Sequence, residues 1–279
     1  MPVGNGDSVP ALPEVEKPRA AAGRWSDFYL RTASALVLGP VVLFCLWRGG
    51  IAWDLLMGVA MAGLGHEWGR LSKLKQAWPL AGVLLIIWAC MLFLGFNGGF
   101  QAILYLTIGV WLVFGRLAAT GVPYAGFGGI FLMWLRHRPE VGLVDAVFLF
   151  LVIWGTDIGA YLAGRLIGGP KLAPRISPGK TWSGAIGGLL AGGLLGVGVA
   201  LASKGSPVYA FGAGLLVSLC AQLGDLMESA IKRKLGVKDS GQTIPGHGGL
   251  FDRLDGFLTA APLAALLAAC VQGGMALWG

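Results

Sequence analysis

The sequence predicts an all-α polytopic membrane protein with about nine transmembrane helices and a cytoplasmic N-terminus. Of its 279 residues, 56% are apolar and 13% are charged, against roughly 25% charged residues in an ordinary soluble domain. Several stretches as long as a spanning helix, which takes about 20 residues, contain no Asp, Glu, Lys or Arg. The longest of them runs from Gln76 to Gly115. A soluble globular enzyme is therefore nearly excluded.

The chain is expected to divide into three parts. Residues 1–30 are rich in Pro, Ala, Gly and charge and lack an apolar stretch suited to a signal peptide, so they are predicted to form a disordered cytoplasmic tail. Residues 31–140 are predicted to form the N-terminal transmembrane helices. Residues 141–279 are predicted to form a C-terminal catalytic transmembrane region with cytoplasmic loops at 165–182 and 229–255.

The apolar stretches predict where each helix begins and ends. The nine predicted spans are roughly 32–47, 51–67, 77–96, 100–116, 118–135, 142–164, 183–202, 206–228 and 256–277. Turns are expected at Arg48–Gly50 and at Asn97–Gly99. A small-residue face, predicted to pack within the chain in preference to forming a homodimer, lies on the seventh span at Gly184, Gly188, Gly192 and Gly196.

The distribution of Lys and Arg predicts the orientation. In the nine-span arrangement, 17 of the 21 basic residues fall on one side, together with the N-terminus and the loops 165–182 and 229–255. Cytoplasmic loops carry the excess of Lys and Arg, so this side is predicted to be cytoplasmic. Because the basic residues lie in short loops between apolar spans, the net charge of +7 does not indicate a nucleic-acid partner.

Acidic residues interrupt two of the apolar spans, where an ionised carboxylate costs about 2.5 to 3.5 kcal/mol at mid-membrane. In the sixth span, Asp157, Tyr161 and Arg165 lie at i, i+4 and i+8 and share one helical face. At the end of the eighth span, another face carries Asp225, Glu228, Ser229 and Lys232. Each acid could pair with a neighbouring base as a structural clamp, or it could belong to a reactive site.

The segment from Ser229 to Gly256 favours the reactive site. It places five basic residues, three acids, a histidine and six glycines between two apolar spans. Asp252 and Asp255 lie at i and i+3 at the start of the ninth helix, where both could reach a divalent cation shared with Asp225. Carboxylate oxygens suit Mg²⁺, which completes its shell with waters and substrate phosphates, and the basic residues would hold those phosphates.

The same segment resembles the signature of the phosphatidate cytidylyltransferases, also called CDP-diacylglycerol synthases. The matching residues are Ser229, Lys232, Arg233, Lys238, Asp239, Gly241, Pro245, His247, Gly248, Gly249, Asp252, Arg253 and Asp255. Two further blocks are similar to this family, and they comprise Asp157, Ala160, Tyr161, Gly164 and Arg165, then Ser177, Pro178, Lys180 and Thr181. The chain departs from many members at Ser183, where they carry Glu.

The resemblance implies that CTP and phosphatidate become CDP-diacylglycerol and pyrophosphate at the inner membrane of a bacterium, in contact with membrane lipids. It implies a requirement for Mg²⁺ and allows a second cation such as K⁺. The catalytic residues it implies are Asp225, Asp252, Lys232, Arg233 and His247, with Asp225, Asp252 and Asp255 on the metal. The substrate-binding residues it implies are Asp157, Tyr161, Arg165, Ser177, Lys180, Thr181, Ser229, Lys238, Asp239, Gly248, Gly249 and Arg253.

Other functions and roles stay open from the sequence. A CTP-dependent lipid kinase of the polyprenol or phytol type has similar needs, but it would release CDP in place of pyrophosphate. A cation-coupled transporter should show repeated halves, and none is visible. His247 could be a metal ligand, a phosphate contact or a loop-orienting side chain, whereas His66 and Glu67 are expected at a helix interface.

Overall fold

The computed structural model describes residues 22–241, 243–244, 248–271 and 276–277. These residues form eight α-helices and one two-stranded antiparallel sheet. In chain order the elements are α1 (Ala22–Arg48), α2 (Gly50–Leu71), α3 (Trp78–Phe114), α4 (Arg116–Arg136), α5 (Gly142–Leu166), β1 (Lys171–Ala173), β2 (Ser177–Thr181), α6 (Trp182–Ala202), α7 (Pro207–Lys234) and α8 (Phe251–Cys270).

The polytopic membrane architecture is confirmed. Six of the described helices, α3 to α8, are long and apolar enough to cross a membrane. Large apolar side chains also point outward from the bundle, as expected of a surface that faces lipid, and among them Phe93 is 79% exposed and Leu112 73% exposed. The all-α class also holds apart from the short hairpin of β1 and β2, which lies within the predicted loop at 165–182.

The amino-terminal part differs from the prediction in one place and agrees in another. Residues 1–21 of the predicted tail lie outside the described residues, and helix α1 already begins at Ala22 within that tail. The break predicted at Arg48–Gly50 is confirmed, because α1 ends at Arg48 and α2 begins at Gly50.

Helix α3 reverses direction at Gly95. Gly95 has φ 73° and ψ −170°, a left-handed conformation that favours glycine. A Cβ atom built on Gly99 would lie 3.3 Å from the Cα atom of Met91, a distance that a straight helix could not give for residues eight apart. The chain therefore turns at Gly95, and the turn predicted at Asn97–Gly99 is corrected to this position because residues 97–99 are helical.

The bundle has two ends, which differ in what they hold. At one end α2, α5 and α7 finish and α4, α6 and α8 begin, and the indole N–H of Trp68 donates to the carbonyl oxygen of Leu117 at 2.9 Å. We call this the site end. At the opposite end, the far end, α1 and α4 finish and α2 and α5 begin, and Arg136 Nε donates to the carbonyl oxygen of Leu46 at 2.7 Å.

The glycine face of α6 packs within the chain, as the sequence predicts. A Cβ atom at Gly188 would lie 2.9 Å from the carbonyl oxygen of Thr156 on α5, and one at Gly192 would lie 2.9 Å from Cβ of Ser218 on α7. The small residues therefore let three helices approach closely and set the positions of α5 and α7. A homodimer would need a different surface.

Candidate active site

A cavity of about 500 Å³ opens at the site end between α5, the β-hairpin, α6 and α7. Its wall carries five side chains that the sequence assigned to substrate, Asp157, Tyr161, Arg165, Lys180 and Thr181, together with Asp225, which it assigned to catalysis and to the metal. Asp157, Tyr161 and Arg165 are exposed along one face of α5, as their spacing predicts. The guanidinium of Arg165 donates to the hydroxyl of Tyr161 at 2.5 Å.

The β-hairpin carries Lys180 into this cavity. In the antiparallel register Ala173 pairs with Ser177 and Lys171 pairs with Thr181, so the strand returns directly to the start of α6. There the Thr181 hydroxyl caps the helix by accepting from the backbone N–H of Gly184 at 3.1 Å. Lys180 Nζ lies 2.5 Å from Asp225 Oδ2, and the hairpin is thus joined to α7 across the cavity.

Three carboxylates gather behind Lys180. Carboxylate oxygens of Asp225, Glu228 and Asp255 all lie within 4.8 Å of one another. Asp225 and Glu228 are one turn apart on α7, and Asp255 lies in the second turn of α8. Glu228 is buried, with 4% of its surface exposed, and its Oε1 atom has no hydrogen-bond partner among the residues that the structure describes.

Asp252, which was predicted to share a metal ion with Asp225 and Asp255, lies outside this group of three carboxylates. Its Oδ1 lies 2.5 Å from Lys232 Nζ. Its Oδ2 accepts from the Ser240 hydroxyl at 3.0 Å and from the Gly249 backbone N–H at 3.0 Å. These donors lie in the chain that precedes α8 and need a nearby acceptor, so the carboxylate of Asp252 is turned toward them. Glu228 takes its place among the three acids.

Lys232 connects the two acidic groups. Besides its contact with Asp252, its Nζ atom lies 3.2 Å from Glu228 Oε2. Its side chain is only 12% exposed, so both ion pairs are shielded from water. Lys232 therefore holds a carboxylate of the cluster on one side and the first turn of α8 on the other.

The segment between α7 and α8 is shorter than the predicted loop. Residues 229–234 belong to α7 and residues 251–255 to α8, so the connector spans only 235–250. Within it, Lys238 and Asp239 are exposed, and Gly248 has φ 87°. The prediction for His247 lies outside the described residues.

The other predicted side chains are distributed around the site. Arg233 is exposed and donates to the carbonyl oxygens of Ile176 at 3.3 Å and Val237 at 3.2 Å, so it ties the hairpin to the connector. The Ser229 hydroxyl donates to Asp225 Oδ1 at 3.4 Å. Arg253 is exposed on the wall of a smaller cavity of about 220 Å³ between α1, α5 and α8, and Ser177 is half-buried in β2.

Two acids have a larger part in the site than the sequence suggested. Glu228 shares a helical face with Asp225 in the sequence, and that spacing was a usable signal for a third ligand. Glu67 was expected only at a helix interface. It is indeed buried, but its contacts are with the connector 235–250, and no local pattern indicates an interaction across more than 170 residues.

Fold and site together define a class of protein. A bundle of apolar helices brings carboxylates and lysines together beside a cavity at one end. This arrangement is typical of a membrane-embedded enzyme that acts on phosphorylated substrates. A sequence profile of the cytidylyltransferase family matches residues 29–271. The chain belongs to this family.

Similar proteins from several bacteria match the chain, two of the following three over more than four fifths of its length. The phosphatidate cytidylyltransferase of Brucella suis biovar 1 (strain 1330) is 43% identical over 260 residues, which cover 88% of this chain and 94% of that protein. The phosphatidate cytidylyltransferase of Rickettsia bellii (strain RML369-C) is 32% identical over 247 residues, 85% of this chain and 89% of that one. The phosphatidate cytidylyltransferase of Staphylococcus aureus (strain COL) is 44% identical over 148 residues, which cover 52% of this chain and 56% of that protein.

Proposed function

We propose that this protein transfers the cytidylyl group of CTP to phosphatidate, giving CDP-diacylglycerol and pyrophosphate for phospholipid synthesis. The observation that carries the proposal is the cluster of Asp225, Glu228 and Asp255 beside Lys180 at the cavity. The names of the similar bacterial proteins identify the substrates. Both substrates are polyanions, so their reaction requires neutralised charge and alignment more than a strong base.

The carboxylate cluster fits a magnesium ion. Mg²⁺ prefers oxygen ligands and binds through a few carboxylates together with substrate phosphates. Asp225, Glu228 and Asp255 would hold it, and Oε1 of Glu228, which has no hydrogen-bond partner among the described residues, is a further oxygen available as a ligand. Bound Mg²⁺ supplies positive charge that offsets the charge of the nucleotide phosphates and of the leaving pyrophosphate.

The lysines of the site would bind phosphate oxygens. Lys180 projects from the hairpin into the cavity and is held by a single carboxylate, Asp225, so an incoming phosphate can share its ammonium group. Arg165 and Tyr161 extend the polar wall outward along α5. The phosphate of phosphatidate is already anionic near neutral pH, so we propose direct in-line attack on the α-phosphorus with no covalent intermediate.

The proposed product distinguishes this activity from a lipid kinase. Purified protein in detergent is given phosphatidate, Mg²⁺ and CTP labelled at the α-phosphorus. We expect the label in lipid, pyrophosphate in solution and inversion of configuration at the α-phosphorus. Release of CDP with unlabelled lipid would favour the kinase, and retention of configuration would contradict direct attack. Absence of labelled lipid from folded protein would remove the proposal.

We further propose nine membrane crossings with the N-terminus and the site end in the cytoplasm of a bacterium. The reversal at Gly95 supports this number, because it divides α3 into two arms that each approach the length of a crossing. The excess of Lys and Arg at the site end supports the orientation. With this orientation the cavity would take CTP from the cytoplasm and phosphatidate from the membrane lipids.

Cysteine labelling tests the orientation. In a background without the four native cysteines, single cysteines replace Val237 at the site end and Lys204 at the far end. An impermeant reagent added to intact cells should label the cysteine at position 204 and spare the one at position 237, which should react only after the membrane is opened. The reverse pattern would overturn the orientation.

A further inference from the structure

Glu67, near the end of α2, makes contacts that a mere helix-interface residue would not need. It is 1% exposed. Its Oε1 accepts from the backbone N–H of Leu250 at 2.7 Å and from the Thr243 hydroxyl, and its Oε2 accepts from the backbone N–H of Phe251 at 2.9 Å and from the Ser240 hydroxyl at 3.2 Å. The two backbone N–H groups can only donate, and Ser240 divides its single hydroxyl proton between Glu67 and Asp252, so a side chain with two acceptor oxygens suits the position.

These contacts fasten the connector 235–250 to α2 at several points. Ser240 and Thr243 lie in the middle of the connector, whereas Leu250 and Phe251 form the beginning of α8. The N–H groups at a helix start carry partial positive charge and stabilise an anion. Glu67 therefore sets where α8 begins, and α8 supplies both Asp252 and Asp255.

Two glycines allow the close approach of connector and carboxylate. A Cβ atom at Gly249 would lie 1.9 Å from the Ser240 hydroxyl oxygen and 2.9 Å from Glu67 Oε2, and one at Gly241 would lie 2.9 Å from Glu67 Oε1. A side chain at Gly249 would displace connector atoms, and one at Gly241 would press on the side chain of Glu67. The backbone is thus wrapped around the Glu67 carboxylate.

A continuous series of contacts joins Glu67 to the acidic cluster. The Ser240 hydroxyl touches both Glu67 Oε2 and Asp252 Oδ2, at 3.2 and 3.0 Å. Asp252 pairs with Lys232, and Lys232 pairs with Glu228. Displacing Glu67 would therefore alter the acceptor of Ser240, the orientation of Asp252 and the partner of Glu228 in turn.

We propose that Glu67 is a positioning residue for cytidylyl transfer: it fixes the connector and the start of α8 so that Asp252, Lys232 and the acidic cluster hold their reactive geometry. This role rests on the proposed function. Glu67 lies outside the cluster of three carboxylates and is assigned no contact with substrate.

The change Glu67→Gln tests this role with little change in volume. The amide offers one acceptor oxygen in place of two, so in either orientation its NH₂ group faces a backbone N–H, at Leu250 or at Phe251. We expect kcat to fall by about 100-fold, the cost of a small displacement of reacting groups, while the KM for CTP changes much less. Hydrogen exchange at the amides of Leu250 and Phe251 should accelerate.

A matched control separates positioning from general destabilisation. Asp145 is also a fully buried carboxylate that accepts a backbone N–H, that of Leu277 at 2.8 Å, but it lies at the far end. Asp145→Asn should lower the melting temperature and leave kcat and the exchange of the connector unchanged. If the two variants lost the same amount of kcat for a given drop in melting temperature, the proposal would be overturned.

A milder variant keeps the proposal testable if Glu67→Gln fails to fold. Thr243→Val removes one donor to Glu67 and keeps the side-chain shape, so we expect a smaller loss of kcat with an unchanged melting temperature. In combination, Ser240→Ala should cost much less kcat in the Glu67→Gln background than in the native chain, because both act through one network. The proposal would be contradicted if the losses of kcat from Ser240→Ala and Glu67→Gln simply multiplied in the double variant, or if Thr243→Val had the native kcat.

These measurements also separate the proposal from the proposed function. Exchange at Leu250 and Phe251 is read without substrate, so it reports the connector even if the native protein labels no lipid. Unchanged exchange in folded Glu67→Gln would overturn the positioning role alone. Failure of the native protein to form CDP-diacylglycerol would overturn the proposed function.

Discussion

The two ends of the bundle both bury acidic side chains but partner them differently. At the far end, Asp145 pairs with Arg138 and accepts the backbone N–H of Leu277, and Asp54 lies 3.2 Å from the His137 ring. At the site end, Lys180 pairs with Asp225, and Lys232 pairs with both Glu228 and Asp252, while Asp255 lies beside Asp225 and Glu228. Carboxylates outnumber their ion-pair partners there among the described residues.

This difference separates acids that are paired within the protein from acids that we propose hold a ligand. A buried carboxylate with its own base and backbone donor is satisfied by the protein, and its removal mainly costs stability. A group of three carboxylates with too little compensating charge attracts a cation. The comparison therefore predicts large losses of activity from changes at the site end and losses of stability from changes at the far end.

The largest effect is expected from Asp225→Asn. The amide keeps the shape of the side chain but loses the charge that pairs with Lys180 and that would hold the proposed cation. We expect the rate of cytidylyl transfer to fall by at least about 10³-fold, the equivalent of several kcal/mol of lost charge stabilisation. The assay is a titration with Mg²⁺ of folded, detergent-purified protein, and native activity at any Mg²⁺ concentration would show that Asp225 is structural.

An intermediate effect is expected from Lys232→Met, which keeps the length of the side chain but removes its charge. Glu228 and Asp252 would lose their shared partner, so both the acidic cluster and the start of α8 should shift. We expect activity to fall by about 100-fold and the free energy of unfolding to fall by about 3 kcal/mol.

The exposed Lys234, two residues further along α7, provides the control for this change. Lys234→Met should leave both activity and stability near native. A native transfer rate in Lys232→Met would mean that the ion pairs of Lys232 have no role in the reaction.

The smallest effect on activity is expected from Asp145→Asn at the far end. Loss of the charge weakens the contacts with Arg138 and with the backbone N–H of Leu277, and we expect the free energy of unfolding to fall by about 2 kcal/mol. The transfer rate at a temperature where the variant is folded should equal that of the native protein. A specific loss of activity without a loss of stability would remove the distinction between the two ends.

Much of the bundle could be predicted from the sequence because it depends on local patterns. Hydropathy identifies the spans, the break before Gly50 is confirmed, and the i, i+3 and i+4 spacing correctly places Asp225, Glu228 and Lys232 on one face. Local patterns located the turn within α3 less exactly, because its position depends on the backbone conformation of a single residue. Asn97–Gly99 looked like the stronger turn, but the chain reverses at Gly95, where the backbone adopts a positive φ.

The site was harder to predict because its parts come together over long distances in the chain. The contact of Ser240 with Glu67 joins residues 173 apart, and nothing near Glu67 in the sequence indicates it. Asp252 and Asp255 both begin α8 and look equivalent, yet only Asp255 reaches the acidic cluster. The difference depends on the donors at Ser240 and Gly249, which only the folded connector brings to Asp252.

The central claim is that the acids of the site end, not those of the far end, carry out the reaction of this family. Transfer of label from α-labelled CTP to phosphatidate by Glu228→Gln and Asp145→Asn, measured side by side at saturating Mg²⁺, tests it most directly. Each variant neutralises one buried acid with little change in shape. The claim predicts that Asp145→Asn labels lipid at the native rate and that Glu228→Gln does not. Labelling at the native rate by folded Glu228→Gln would contradict it.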